Sequence, residues 1–170
     1  MAQHARKEDL RPGKAFGAFV SIVVVWFAFD RVTKLAADVV EPGQVLVPNV
    51  LGLFEFRLVH NTGAAWGMFE NSTFALGVFS CIVCAIIFAY LFVIRRGRLS
   101  AGELIPLSFV FAGGLGNAVD RLTLGYVVDF INATFIDFPV FNVADIGVTL
   151  GIIALVIAVL FGMRDADQEG

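Results

Sequence analysis

The sequence predicts a mainly α integral membrane protein with four membrane-spanning helices. Three observations predict it. Hydrophobic residues make up 58% of the chain and charged residues only 16%, against about 25% charged in a soluble domain. Mean hydropathy is +0.84. Four apolar stretches, 15–29, 71–94, 104–119 and 146–163, carry no charge, and a spanning helix needs about 20 mostly apolar residues. The 170 residues suit one membrane domain over 1–170, with spans at about 14–34, 71–94, 103–122 and 144–163. The net charge of −3 says little, because the positions of the charges matter more. No basic block offers nucleic acid a footprint.

The first span starts from Arg6, Lys7, Arg11 and Lys14. No A-x-A-like cleavage site follows; "FDRVTKLAAD" comes next, so it reads as an uncleaved anchor. No lipobox-like Cys follows it either. Its apolar run is short for a span and reaches spanning length only if Asp30 is drawn into the membrane-embedded structure. "DRVTK" sets Asp30 and Lys34 at i, i+4, on one side of a helix end.

The link at about 43–70 carries Gly and Pro punctuation and a strand-like alternation. Phe54, Phe56 and Leu58 fall on one face, and Glu55, Arg57 and Val59 on the other. A short sheet or hairpin on the membrane surface is the reading; an irregular loop is the alternative. Trp66 suits the headgroup level. "NTGAAWG" supplies Asn61, followed by small residues, Gly63 among them, where backbone can approach a ligand closely.

The second span holds Cys81 and Cys84 in its middle, read as buried, apolar-like thiols with neither disulfide nor metal. The link "RRGR" follows. The third span is also short by composition, and ends in "AGGLGNAVDR". There Gly113, Asn117 and Arg121 form one stripe, while Ala112/Gly116 and Gly114/Ala118 are small-xxx-small pairs that admit a close neighbouring helix. A nucleotide-loop reading of "GGLGN" fails, since no complete motif is present. The fourth span opens at Asp145 in "FNVAD", sixteen residues after Asp129 in "VVDF".

Orientation follows from Lys and Arg. The N-terminal segment, the "RRGR" link and Arg164 fall on one side of a four-span chain, read as the cytoplasm. Asp30, Asp120, Asp129 and Asp145 then all lie at the outer face. Any one of them could be a helix cap or an interface charge; Asp145 in particular is a plausible N-cap. As a set they point to function, because ionisable groups near hydrocarbon are costly.

The chemistry such a set supports is narrow. There is no Ser/Lys or Ser/His pair, and His60 has no nucleophile beside it. No His/Cys/acid group has metal-ligand spacing, so neither metal nor cofactor is expected. A carboxylate pair, Asp129 and Asp145, remains. Two neighbouring carboxylates share one proton. The ionised one takes a proton from water; the protonated one polarises a peptide carbonyl and then protonates the leaving amine. Asn117 is expected to hydrogen-bond within such a site, and Arg121 to pair with Asp120 or Asp30.

The ordered blocks "DRVTK", "NTGAAWG", "GGLGNAVDR", "VVDF" and "FNVAD" resemble the lipoprotein signal peptidase, or signal peptidase II, family over nearly the whole chain. The resemblance implies a bundle of four transmembrane helices, both termini cytoplasmic, with a small extracytoplasmic β-cradle and a short surface helix. It implies an aspartic endopeptidase of the bacterial inner membrane with Asp129 and Asp145 catalytic. Asp30, Lys34, Asn61, Gly63, Gly113, Asn117, Asp120, Arg121 and Asn142 would line or support the pocket. The implied substrate is a diacylglyceryl-modified prolipoprotein, cut on the N-terminal side of its lipidated Cys. Membrane lipid and globomycin-type cyclic peptides are the other expected partners, and the chain is expected to be a monomer. Two departures stand out: Arg31, where the family often has Gln, and Trp66, where it often has Phe. A transporter reading is weaker, since the halves show no repeat. Membrane aspartyl proteases of the presenilin or prepilin-peptidase type carry a G-x-G-D block that is missing here.

Overall fold

The computed structural model describes residues 10–63, 68–69, 72–96 and 98–167, the side chains of 162–167 excepted. Arg6, Lys7, Trp66 and the side chain of Arg164 lie outside the described residues. Four long helices and three strands alternate as α1 (Pro12–Ala37), β1 (Val45–Val50), β2 (Phe54–Asn61), α2 (Thr73–Phe88), α3 (Ala101–Thr123), β3 (Val127–Ala133) and α4 (Val143–Asp167).

Helix α1 begins at Pro12, a residue whose missing N–H costs nothing in a first turn. It runs past Asp30 and Lys34 to Ala37, well beyond its apolar stretch. Helix α2 continues through a π-helical turn, Ala89–Ile94. Helix α3 opens with a reciprocal capping box between Ser100 and Glu103, which satisfies two otherwise orphaned N–H groups. It too outlasts its apolar run, carrying Asn117, Asp120 and Arg121 in its last turns.

Helix α3 is the hub, packed against α1, α2 and α4. Glycines let α4 come close to it. A Cβ at Gly113 would fall on the Ala144 carbonyl, and one at Gly151 would stand 2.7 Å from the Pro106 carbonyl oxygen. At one end of the bundle, Ala15, Phe19, Ile87, Leu91, Leu99 and Leu104 form a buried cluster. The Phe19 ring meets Phe88, Phe92 and Phe111 there, edge to face. Leu10 and Leu99 pair through their backbones at that end.

The other end carries the sheet, antiparallel and ordered β1-β2-β3. The strand expected at 54–59 is therefore present, and the irregular-loop alternative is not. Its alternation is interrupted by a register shift between Phe56 and Val59 in the pairing with β3. Phe56 packs on a second buried cluster of Ala37, Phe130 and Val143. The third strand was not anticipated, and it is the one that holds Asp129. The short surface helix implied by the resemblance falls on no described residue.

The outward faces of the helices are apolar. Val24, Val25, Leu35, Phe74, Phe79, Ile86, Ile153 and Val156 are all exposed. In water such a surface would drive association; against lipid tails it has no penalty. All four helices are long and apolar enough to cross a membrane, and the protein is membrane-embedded. Cys84 is buried, but Cys81 is exposed on α2's outer face, contrary to the expectation that both thiols are buried. Residue 81 lies three positions before 84, so nearly one turn of helix separates them, but only Cys84 faces α3, where its thiol meets the Phe111 carbonyl at 3.6 Å.

Candidate active site

The polar residues near the sheet end converge. Asp129 is presented by β3 and is only 2% exposed. Its Oδ2 accepts from Asn61 Nδ2 at 2.9 Å, so the last residue of β2 holds an acid on the paired strand. Its Oδ1 accepts from Asn142 Nδ2 at 2.6 Å.

Asp145 sits in the first turn of α4. It does not cap that helix; Asn142 does. Asn142 Oδ1 accepts from the Asp145 N–H at 3.0 Å, and the Asn142 N–H donates to Asp145 Oδ2 at 3.1 Å. This is a reciprocal capping box with Asp in the place usually taken by Glu. The same asparagine therefore holds Asp129 through its side chain and Asp145 through its backbone. Asn117 completes the frame, donating from Nδ2 to Asp145 Oδ1 at 2.7 Å. Its Oδ1 accepts from Asn142 Nδ2 at 3.1 Å.

Behind this pair lies a second, fully charged layer. Lys34, 1% exposed, directs its ammonium at Asn117 Oδ1 at 2.9 Å, Asp30 Oδ2 at 3.1 Å and Asp120 Oδ2 at 2.9 Å. The buried ammonium is thus hydrogen-bonded to one amide oxygen and ion-paired with two carboxylates, the compensation that a buried charge requires. Asp30 Oδ1 accepts the Ala144 N–H at 2.9 Å, at the positive end of α4. Asp120 Oδ1 accepts from Arg31 at 2.5 Å.

Arg121 departs from expectation. It pairs with neither Asp120 nor Asp30; Arg31 and Lys34 take those carboxylates. Successive residues on a helix point about 100° apart, so Asp120 faces α1 while Arg121 faces the cavity. There its guanidinium donates to the Gly63 carbonyl at 3.2 Å, and the Gly63 N–H donates to Asn61 Oδ1 at 2.9 Å. Gly113 does not line the cavity; it is the contact point of α3 and α4.

Both aspartates open onto a cavity of about 610 Å³. Its polar end holds Asn61, Asn117, Arg121, Asp129 and Asp145. Its walls are Phe79 and Val83 of α2, Val110 of α3, Ile146 and Val148 of α4, and residues 138–141. The contribution of α2 was missed in sequence, since that helix brings no charge to the site. Arg31 was visible only as a departure; nothing in its spacing announced Asp120 as its partner.

Burial pushes the Asp129 carboxyl up, to about 7, and the neighbouring Asp145 charge adds to the rise, against the hydrogen bonds from Asn61 and Asn142. A carboxyl titrating near neutrality can be found in either protonation state at working pH.

The chain is similar to known proteins of one family. The family model described as Signal peptidase (SPase) II matches residues 22–161. The chain is 38% identical to the lipoprotein signal peptidase of Streptococcus agalactiae serotype Ia over 140 residues, 81% of this chain and 88% of the relative. It is 36% identical to that of Clostridium acetobutylicum over 156 residues, 89% of this chain and 97% of the relative. Among solved structures it is similar to one described as a bacterial membrane enzyme. Their TM-score is 0.79 at 32% identity, covering 88% of this chain and 91% of the other.

Proposed function

The chain belongs to the signal peptidase II family, a membrane protease family acting on prolipoproteins, and from that premise we propose that it works as an aspartyl endopeptidase. In this reading it removes the signal peptide from diacylglyceryl-modified bacterial prolipoproteins, on the N-terminal side of the lipidated Cys. The observation that carries the reading is the shared hold of Asn142 on Asp129 and Asp145 at the polar end of an otherwise apolar cavity.

Formal charges in the two layers support one proton on the pair. Four aspartates, Asp30, Asp120, Asp129 and Asp145, face three cations, Arg31, Lys34 and Arg121. One shared proton brings the sum to zero, which a low-dielectric site favours. The ionised carboxylate takes a proton from water, whose oxygen attacks the scissile carbonyl carbon. The protonated carboxyl hydrogen-bonds the carbonyl oxygen and stabilises its developing charge. The C–N bond then breaks, and the amine leaves with a proton supplied by the pair. The apolar walls from α2 and α4 accept the diacylglyceryl chains, each buried CH₂ contributing about 0.8 kcal/mol.

In the same reading the protein is a monomer in the bacterial inner membrane. Both termini are cytoplasmic and the sheet and dyad lie at the outer face, because Arg11, Lys14, Arg95, Arg96 and Arg98 cluster at the opposite end. Globomycin-type cyclic peptides would compete for the cavity.

The test is cleavage of a diacylglyceryl-modified prolipoprotein and its unmodified copy by purified wild type, Asp129→Asn, Asp145→Asn and the double variant. Each single variant should lose activity by several orders of magnitude, and the double should be scarcely worse, because the pair acts as a unit. The unmodified copy should be cut far more slowly. A folded single variant with more than a few per cent of wild-type activity would refute the mechanism, and equal rates on the two substrates would refute the lipid requirement.

A further inference from the structure

Arg31 touches neither the cavity nor the dyad, and its side chain is 25% exposed. Its Nε lies 3.7 Å from Asp30 Oδ2, and it ends on Asp120, a carboxylate that reaches both halves of the site. Asp120 Oδ1 takes the Arg31 guanidinium at 2.5 Å. Asp120 Oδ2 takes Lys34 at 2.9 Å and the Val128 N–H at 3.4 Å. Val128 adjoins Asp129 on β3. Lys34 continues to Asn117, and Asn117 to Asp145. One short path from Asp120 thus leads to each member of the pair.

From this geometry we infer that Arg31 is a positioning residue whose charge sets the working pH range of the dyad. With Arg31 present, Asp30 and Asp120 are matched by two cations. Without it, Lys34 alone faces both carboxylates, and one negative charge remains uncompensated behind the pair. Negative charge close to an acid favours its protonated form. Both limbs of the pH profile therefore move to higher pH when the Arg31 charge is removed. The other charged groups facing the pair stay in place: Asp30 and Lys34 from α1, and Asp120 and Arg121 from α3. From β2 comes the neutral Asn61, preceded by His60, which is paired with Asp38 at 2.7 Å and stacked on Tyr126. The cavity walls from α2 add only the neutral Ser80.

The inference rests on the dyad reading, and the experiment separates the two. We would measure kcat and KM from about pH 5 to about pH 9 for wild type, Arg31→Gln and Arg31→Lys, with Asp129→Asn and Asp145→Asn alongside. Arg57, paired with Glu55 on the exposed face of the sheet, gives the control Arg57→Gln. Arg31→Gln keeps an N–H donor for Asp120 without the charge. It should fold, keep its KM, lose kcat a few-fold at neutral pH, and show both limbs raised by about half a unit or more. Arg31→Lys restores the charge and should return the limbs to the wild-type position; Arg57→Gln should leave them there. Superposed profiles for Arg31→Gln and wild type would overturn the inference. So would equal shifts in Gln and Lys, a change confined to KM, or loss of the thermal transition in Arg31→Gln. Activity surviving in the Asp→Asn variants would instead strike at the dyad reading.

Discussion

Asp129 shows how a site residue can oppose the fold that holds it. Burial raises its pKa to about 7, so the folded protein binds a proton that the unfolded chain, with an ordinary carboxyl, has already released. Stability from this group is therefore full below the ordinary carboxylate range and declines as pH rises towards 7. Asp129→Asn should consequently raise the melting temperature more at about pH 8 than at about pH 5, while activity is lost at both. A lower melting temperature at the higher pH would show that the charged form is welcome in the fold. Arg121 makes the converse case. Among the described residues no carboxylate lies within ion-pair distance of it, so Arg121→Ala strands no partner acid. It should accumulate to near wild-type level, measured by detergent extraction and gel quantification, while kcat/KM falls at least ten-fold. Poor accumulation would place Arg121 among the residues that hold the bundle together. Residue identities at the site were readable in sequence because acids and amides beside hydrocarbon need a reason. Their pairing was not, since a one-residue step on α3 decides whether a side chain meets α1 or the cavity.

The helices carry a related lesson. By composition α1 and α3 fall short of a span, and the structure lengthens both through their polar ends, where Asp30, Arg31, Lys34 and Asp120 compensate one another. Local hydropathy cannot count a charge that is cancelled by a residue from another helix. The strand at 127–133 was missed for a similar reason: "VVDFINA" is apolar on nearly every position, and period-two alternation is weak where burial comes from both sides. Helix contacts were more legible, because small residues in a span announce close approach. Gly116 is such a case, since a Cβ there would stand 2.6 Å from Asp30 Oδ2 and 3.4 Å from the Ala144 Cβ; Gly113, expected at the pocket, is instead the tightest contact, with its missing Cβ directed at the Ala144 carbonyl. Gly113→Val should force α4 away from α3, costing about 1–3 kcal/mol and shifting the residue pair around Ala144 and Asp145. The expected result is a melting temperature several degrees lower together with reduced turnover. Wild-type values of both would mean that the two helices have slack at this crossing.

At the scale of the molecule, Arg11, Lys14, Arg95, Arg96 and Arg98 lie at the end of the bundle away from the sheet, and this polarity is testable. Tags at either terminus should resist protease added outside intact cells. Asn49, exposed at the sheet end, should as Asn49→Cys be labelled by an impermeant reagent in a background without the two native cysteines. Labelling only after lysis would reverse the orientation. The two-layer charge cluster also ties together segments made at different times. Arg31 and Asp120 are 89 positions apart, and at about 5–20 residues per second the ribosome needs roughly 5 to 20 seconds to cover that interval. Until α3 is synthesised, the end of α1 sets Arg31 and Lys34 against Asp30 alone, one positive charge in excess. Arg31 therefore has no Asp120 to meet until the third helix exists, and the ionic cluster closes only when α1 and α3 come together.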